Sequence, residues 1–302
     1  HFEGEYLDNN KHGYWREYDR KGLTLNTVKY NRGEVEKNAE ELMKLDFKTE
    51  YYDNAAIKSI KSYKNGVPEG VFREYSPEGK VVNSEVYKEG KKLGEGVMDE
   101  QGIKQGKWIE FYGDSILRAE GEYNEGQRIG EWKFFYRNGQ KEQLGKYGKG
   151  EKPEGKWVWF HENGNIWRDE NFENGLEQGQ LIEYDDTGKV ITKGGFIDGE
   201  KEGLWIFENG DSHEEGVFKA GKKDGEWKDY YVVNGQFDKN SQLSFVGKYI
   251  DGFPDGKHIY YYPNGKKKLD GKYITGAQDG EWHRYNEEGL LVLTILYVNG
   301  VE

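Results

Sequence analysis

Aromatic and polar positions alternate along nearly the whole chain in short runs that end on glycine. Residues 121–147, GEYNEGQRIGEWKFFYRNGQKEQLGKY, show the pattern once through. It predicts a short strand around Tyr123, a glycine-rich turn at 126–130, a second strand over 132–136 and a further turn at Asn138 and Gly139. Asn and Gly belong in that last turn because they tolerate the positive φ a tight hairpin requires. Side chains two apart on a strand share a face, so Trp132, Phe134 and Tyr136 fall on one side and Lys133 and Phe135 on the other.

The same phrase returns at a fixed period, which sets the architecture before any other argument. One anchor runs through Trp15, Phe72, Trp108, Trp132, Trp157, Leu181, Trp205, Trp227, His258 and Trp282, in its central part at steps of about 24 residues. A second series, an aromatic three residues before a glycine except at Tyr6, where Asn9 stands instead, runs from Tyr6 and Tyr30 through Tyr123, Tyr147 and Phe172 to Tyr273 and Tyr297. A third aromatic follows the first anchor by three, as at Tyr18, Tyr75, Phe135, Tyr184 and Tyr285. An odd offset cannot share a face with the anchor on a regular strand, so either a bulge breaks the alternation or both faces carry rings.

Three stretches depart from the period. Residues 34–46 place Val35, Ala39, Leu42 and Met43 at helical spacing and predict a short amphipathic helix, which either covers an end of sheet or binds a partner. Residues 94–106 form a degenerate unit with Met98 where an aromatic belongs, and the segment after Tyr231 is long for a hairpin link. The last departure is a nearly continuous aliphatic run at 290–298, which reads as a strand buried on both faces. Such a strand either folds back as a cap or meets another molecule, because exposed edges invite pairing.

Units such as Gly225-Glu226-Trp227-Lys228-Asp229-Tyr230 and Gly271-Lys272-Tyr273-Ile274-Thr275-Gly276 resemble the MORN-repeat variant of bacterial proteins, over nearly the whole chain. The resemblance implies antiparallel hairpins stacked into an elongated single-layer sheet, here one all-β repeat domain over 1–302 with about twelve hairpin units. It also implies kinship with antitoxin-like proteins, although one fold hosts many roles.

Composition agrees with a thin folded sheet. With 34% hydrophobic and 33% charged residues, the chain would lean towards disorder were it not for 15% aromatics, whose large side chains hold a sheet with few contacts. A net charge of −12 disfavours nucleic acid, and no apolar run is long enough to span a membrane. No cysteine is present, so neither a disulfide framework nor a thiolate site is expected. The chain starts at His1, the start expected of a fragment or of a chain whose leader has been removed.

Catalytic, metal and cofactor sites are not expected. Residues 146–157, KYGKGEKPEGKW, lack the hydroxyl residue and helix of a phosphate loop, and the six histidines are scattered without metal-ligand spacing. His258 stands in an anchor position and reads as a structural substitute. Acidic residues recur with the repeat, where a catalytic pair would be singular. The expected function is therefore a non-catalytic scaffold or protein-interaction module, an accessory subunit in a bacterial cell envelope, periplasmic or at the cell surface. Partner contacts are expected at Leu291, Leu293 and Ile295 on the terminal strand and at Leu42 and Met43 on the helix. Two alternatives stand beside it: an antitoxin-like inhibitor, and a glycan-binding surface made by Tyr112, Tyr136, Trp159, Tyr231 and Tyr262, whose rings would stack on sugars.

Overall fold

The computed structural model describes residues 1–18, 24–35, 45–233, 235, 237–238 and 240–301. The chain is nearly all β, as the repeat predicts. It divides into two compact units, residues 1–101 with 113–115, and residues 102–112 with 116–301.

The first unit holds two antiparallel arrangements. Phe2–Leu7, Asn10–Tyr18, Thr24–Asn31 and Glu34–Val35 pair in sequence. Asp46–Tyr51, Ile57–Lys64, Gly70–Tyr75, Val81–Lys88 and Lys91–Met98 pair likewise. The helix predicted over 34–46 is not borne out at its ends, where Glu34–Val35 is a strand and Asp46 opens another. Residues 36–44, with Leu42 and Met43, lie outside the described residues. Met98 is buried in the place of the expected aromatic.

The second unit is an antiparallel meander from Lys104–Phe111 to Leu291–Tyr297, in which Ile166–Glu173 pairs with both the short strand Leu176–Glu177 and Gly179–Tyr184. Two kinds of turn alternate. Glu125 and Gly126 both have positive φ, 51° and 77°, the geometry of a two-residue hairpin whose twist matches that of the strands. At the other end Gly139 N–H donates to the Tyr136 carbonyl at 2.9 Å, and Asn138 Oδ1 accepts from the Gln140 amide at 2.9 Å.

The core is one row of anchors. Trp132 and Trp227 are 0% exposed, and Trp108, Trp157, Trp205, His258 and Trp282 lie within 2% of that. The indoles of Trp132, Trp157, Trp205, Trp227 and Trp282 lie flat on a glycine of the preceding strand, and this close approach explains the glycine: a Cβ at Gly145 would stand 2.0 Å from Trp157 Cδ2. Their indole N–H then donates to the carbonyl one residue beyond, Trp157 to Lys146 at 3.1 Å and Trp227 to Val217 at 3.1 Å, whereas the Trp108 N–H is buried without a hydrogen bond. The second aromatic series fills the gaps edge-on: Tyr147 meets Trp157 at 5.0 Å and 75°, and Phe172 meets it from the other side at 6.3 Å and 78°. Edge-to-face pairs of this kind add about 0.5–1.5 kcal/mol each beyond the area they bury.

Of the two explanations for the odd-offset aromatics, the bulge is the one found. Pairing slips between Phe134 and Phe135, Trp159 and Phe160, Asp229 and Tyr230, and Arg284 and Tyr285, always between the second and third residues after the anchor. The strand from Glu200 to Asn209 is regular there, because Phe207 and Glu208 pair without a slip with Glu214 and His213.

Candidate interaction surface

Cross-strand pairing organises the second unit into rows. On the anchor face, the position two after the anchor runs continuously through Glu110, Ala119, Phe134, Gln143, Trp159, Arg168, Glu183, Thr192, Phe207, Glu214, Asp229, Phe245, Tyr260, Leu269, Arg284 and Leu293. A cation four residues before the anchor covers several indoles: Arg128 lies 4.7 Å from the Trp132 ring, Lys201 4.3 Å from Trp205 and Lys223 3.8 Å from Trp227. These long side chains cover the single aromatic layer with their stems and keep their charges at the surface.

Charges on this face are mostly satisfied by one another. Burial works to raise the Glu110 carboxyl, but Arg118 at 2.7 Å, Lys104 at 3.2 Å and the Tyr123 hydroxyl at 3.0 Å outweigh it and hold the carboxyl below its usual range. Asp229 is the reverse case. Burial, then the Glu214 charge opposite, push it up to about 6 against the pull of Lys223 and His213, and its Oδ1 is buried without a hydrogen bond. Burial lowers Lys201 below the usual lysine range.

His258 keeps the anchor's job. Its Nε2 lies 2.8 Å from the Lys248 carbonyl, an acceptor, so that nitrogen carries the proton just as the indole N–H does elsewhere. Burial lowers its pKa, so the neutral ring is the form the row holds. A Cβ at Gly247, beneath it, would stand 2.5 Å from the imidazole Nδ1.

The residues expected for glycan binding have structural partners. The hydroxyls of Tyr112, Tyr136, Tyr231 and Tyr262 donate to the carbonyls of Phe135, Phe160, Tyr261 and Tyr285 at 2.9, 2.7, 2.9 and 2.9 Å. Each therefore ties one hairpin end to the bulge of a following repeat. His161 Nε2 does the same at 3.0 Å from the Tyr184 carbonyl. Trp159 stacks on Trp157 at 5.8 Å, with the Arg168 guanidinium 5.6 Å from its ring.

Leu291–Tyr297 is different in kind. The reading of it as a strand buried on both faces is corrected: Leu291, Val292, Leu293 and Leu296 are 55%, 56%, 46% and 62% exposed. It pairs with Ala277–Tyr285 on one side, and among the described residues no strand pairs along its other side. The three residues expected to bind a partner are together on the anchor face or beside it: Leu293 pairs with Arg284, Ile295 with Trp282 and Leu291 with Tyr285. Leu269, Trp282, Arg284, Leu293, Ile295 and Tyr297 line a shallow groove of about 330 Å³. Sequence reading missed Arg284, which is exposed and has no carboxylate within ion-pair distance among the described residues. The signal for Ile295 was present: Gly271-x-Tyr273 becomes Ile295-x-Tyr297.

Among the described residues no helix is long and apolar enough to cross a membrane. No curated protein matches the sequence. The chain is similar to part of a crystal structure of TcdB2-TccC3-TEV, at 10% identity, 95% coverage of this chain, 17% of that one and a TM-score of 0.18. A second similarity is to the Photorhabdus luminescens Tc holotoxin pore with mutant TccC3, at 10% identity, 94% coverage of this chain, 18% of that one and a TM-score of 0.15. The chain thus spans under a fifth of the length of either, and at these TM-scores neither likeness supports an argument. The sequence does match the MORN repeat variant at residues 68–89, 128–148, 153–174 and 254–274, each match opening four residues before an anchor, at Phe72, Trp132, Trp157 and His258, and closing just past the second aromatic.

Proposed function

We propose that the chain is a non-catalytic interaction module which presents the strand Leu291–Tyr297 to another protein, as an accessory subunit of a bacterial cell-envelope complex. One observation supports this above the others: an aliphatic strand with an unpaired edge stays exposed on both faces, where the interior strands bury their anchors. Exposed, flat apolar edges are otherwise avoided because they template pairing. The repeat rows support that strand and line the groove beside it with Leu269, Trp282 and Arg284.

The test is a gentle purification of the full chain from its native cells, wild type beside Leu293→Lys with Leu296→Lys. A defined partner that is retained by the wild type and lost from a variant of unchanged melting temperature is the expected result. A partner held equally by both would overturn the assignment of the edge.

A further inference from the structure

We infer that Asn209 is a site of spontaneous covalent modification, where the backbone nitrogen of Gly210 closes on the asparagine side chain and water then leaves aspartate or isoaspartate. In the closing step the bond from Gly210 N to Asn209 Cγ forms and the Cγ–Nδ2 bond breaks. Nδ2 departs as ammonia, taking the Gly210 amide proton with it. Water then opens the cyclic imide at either of its carbonyls, so the only co-reactant is solvent.

The chain holds eight Asn-Gly pairs, so the dipeptide alone does not single this one out. Hydrogen bonding does. At Asn138, Asn163 and Asn264 the following glycine N–H donates to the carbonyls of Tyr136, His161 and Tyr262 at 2.8–2.9 Å. The Nδ2 of each asparagine also donates to a carbonyl of the next hairpin end, that of Glu162, Asp186 or Glu287, at 2.7–3.0 Å. Gly175 and Gly300 N–H donate to the Pro153 and Gln278 carbonyls at 3.0 and 2.8 Å. Asn65 stands in the same closed two-residue turn as Asn174 and Asn299, with φ of 52°, 52° and 50°. Asn234 lies outside the described residues.

Asn209-Gly210 has none of these restraints. Both residues are exposed, and among the described residues neither the Gly210 N–H nor the Asn209 side chain makes a hydrogen bond. Asp211 N–H donates to the Asn209 carbonyl at 2.8 Å across Gly210, whose φ is 66°, and such γ-turns are strained. The attacking nitrogen and the side chain it attacks are therefore both free at a turn that gains by opening.

The product acts on the neighbouring loop. The Asp211 carbonyl accepts the Val232 N–H at 2.8 Å, and His213 seats Phe237 ring on ring at 3.6 Å and 7°. Conversion sets a new carboxylate between Glu208 and Asp211, and isoaspartate also lengthens the backbone of the turn by one methylene. A turn lengthened there no longer places the Asp211 carbonyl on Val232, and the loop after Tyr231 loosens.

The test holds the full chain in mildly alkaline buffer and follows each asparagine by peptide mass spectrometry, with fragmentation that separates isoaspartate from aspartate. Asn209 should convert about tenfold faster than Asn138, Asn163 and Asn264, the factor set by the hydrogen bonds those three must break before closure. In denaturant the four should draw level, because only the folded turns distinguish them. Amide hydrogen exchange at Val232 should quicken as the wild type ages and stay constant in Asn209→Gln, whose longer side chain does not close the same ring. Asn209 converting no faster than the other three in the folded chain, or keeping its lead undiminished in denaturant, overturns the inference. Unchanged exchange at Val232 in fully converted protein overturns the coupling to the loop.

Discussion

The hairpin of residues 117–135 and the strand Leu291–Tyr297 are built from one repeat, yet they hold their neighbours by opposite means. In the interior, Gly121 leaves room for Trp132, the ring vanishes from solvent, and its N–H reaches the Glu122 carbonyl at 3.2 Å. At the terminal strand, Ile295 fills the space that glycine leaves open and meets Trp282 across the pair, while Leu291, Val292, Leu293 and Leu296 face water. The difference teaches that stacking of repeats depends on a missing side chain. Supplying that side chain at Ile295 fills the space in which an indole lies elsewhere in the row.

The comparison breaks first at the rings. Trp132→Ala should cost about 3–5 kcal/mol, since it empties a fully buried site, whereas Leu293→Ala on the exposed strand should cost less than about 1 kcal/mol. Chemical denaturation checks both, and similar losses would show that the terminal strand is packed. Next comes the glycine. Gly145→Ala sets a Cβ against Trp157 and should cost about 1–3 kcal/mol as overpacking, while Ile295→Gly should cost about 1 kcal/mol or less. If Gly145→Ala is silent, the indole moves freely and the account of Ile295 loses its basis. Smaller still is Tyr136→Phe, which removes one hydrogen bond to the Phe160 carbonyl and should cost about 1 kcal/mol. A sugar array that responds to this variant would restore a binding role for the tyrosines.

The fold was legible because period and residue type agreed: tryptophan, glycine and the second aromatic recur at fixed offsets, and the odd-offset aromatics already required either a bulge or rings on both faces, of which the pairing shows the bulge. The terminal run was misread for a physical reason. A continuous aliphatic stretch reports apolar side chains on both faces of a strand but says nothing about whether anything covers them. The tyrosines after the anchor were equally ambiguous, since a ring fit for stacking on a sugar is also fit to carry a hydroxyl to a carbonyl one repeat away. Arg284 was invisible for a simpler reason: its row position is filled elsewhere by Glu110, Phe134, Glu183 and Asp229, so only the pairing of strands reveals that here it stands alone between leucines.

Asp229 and Arg284 share that row position, and the titration of Asp229 sharpens the contrast between a half-buried charge and an exposed one. Asp229, pushed up to about 6 by burial and then by Glu214, binds its proton more tightly in the folded chain than in the unfolded one. Between the unfolded value near 3.8 and about 6 the folded state therefore holds more protons. Stability from this group is fully present below that window, falls as pH rises through it, and above about 6 the fold carries a buried carboxylate facing Glu214. Asp229→Asn should abolish the slope and raise stability at pH 7–8 by about 1 kcal/mol, read as a melting temperature about 2 °C higher in a chain of this size. Arg284→Gln, on an exposed side chain with no ion-pair partner among the described residues, should leave melting unchanged at every pH. A pH slope that survives Asp229→Asn would place its origin in another carboxylate of the row, with Glu170, also raised by burial, the next to test.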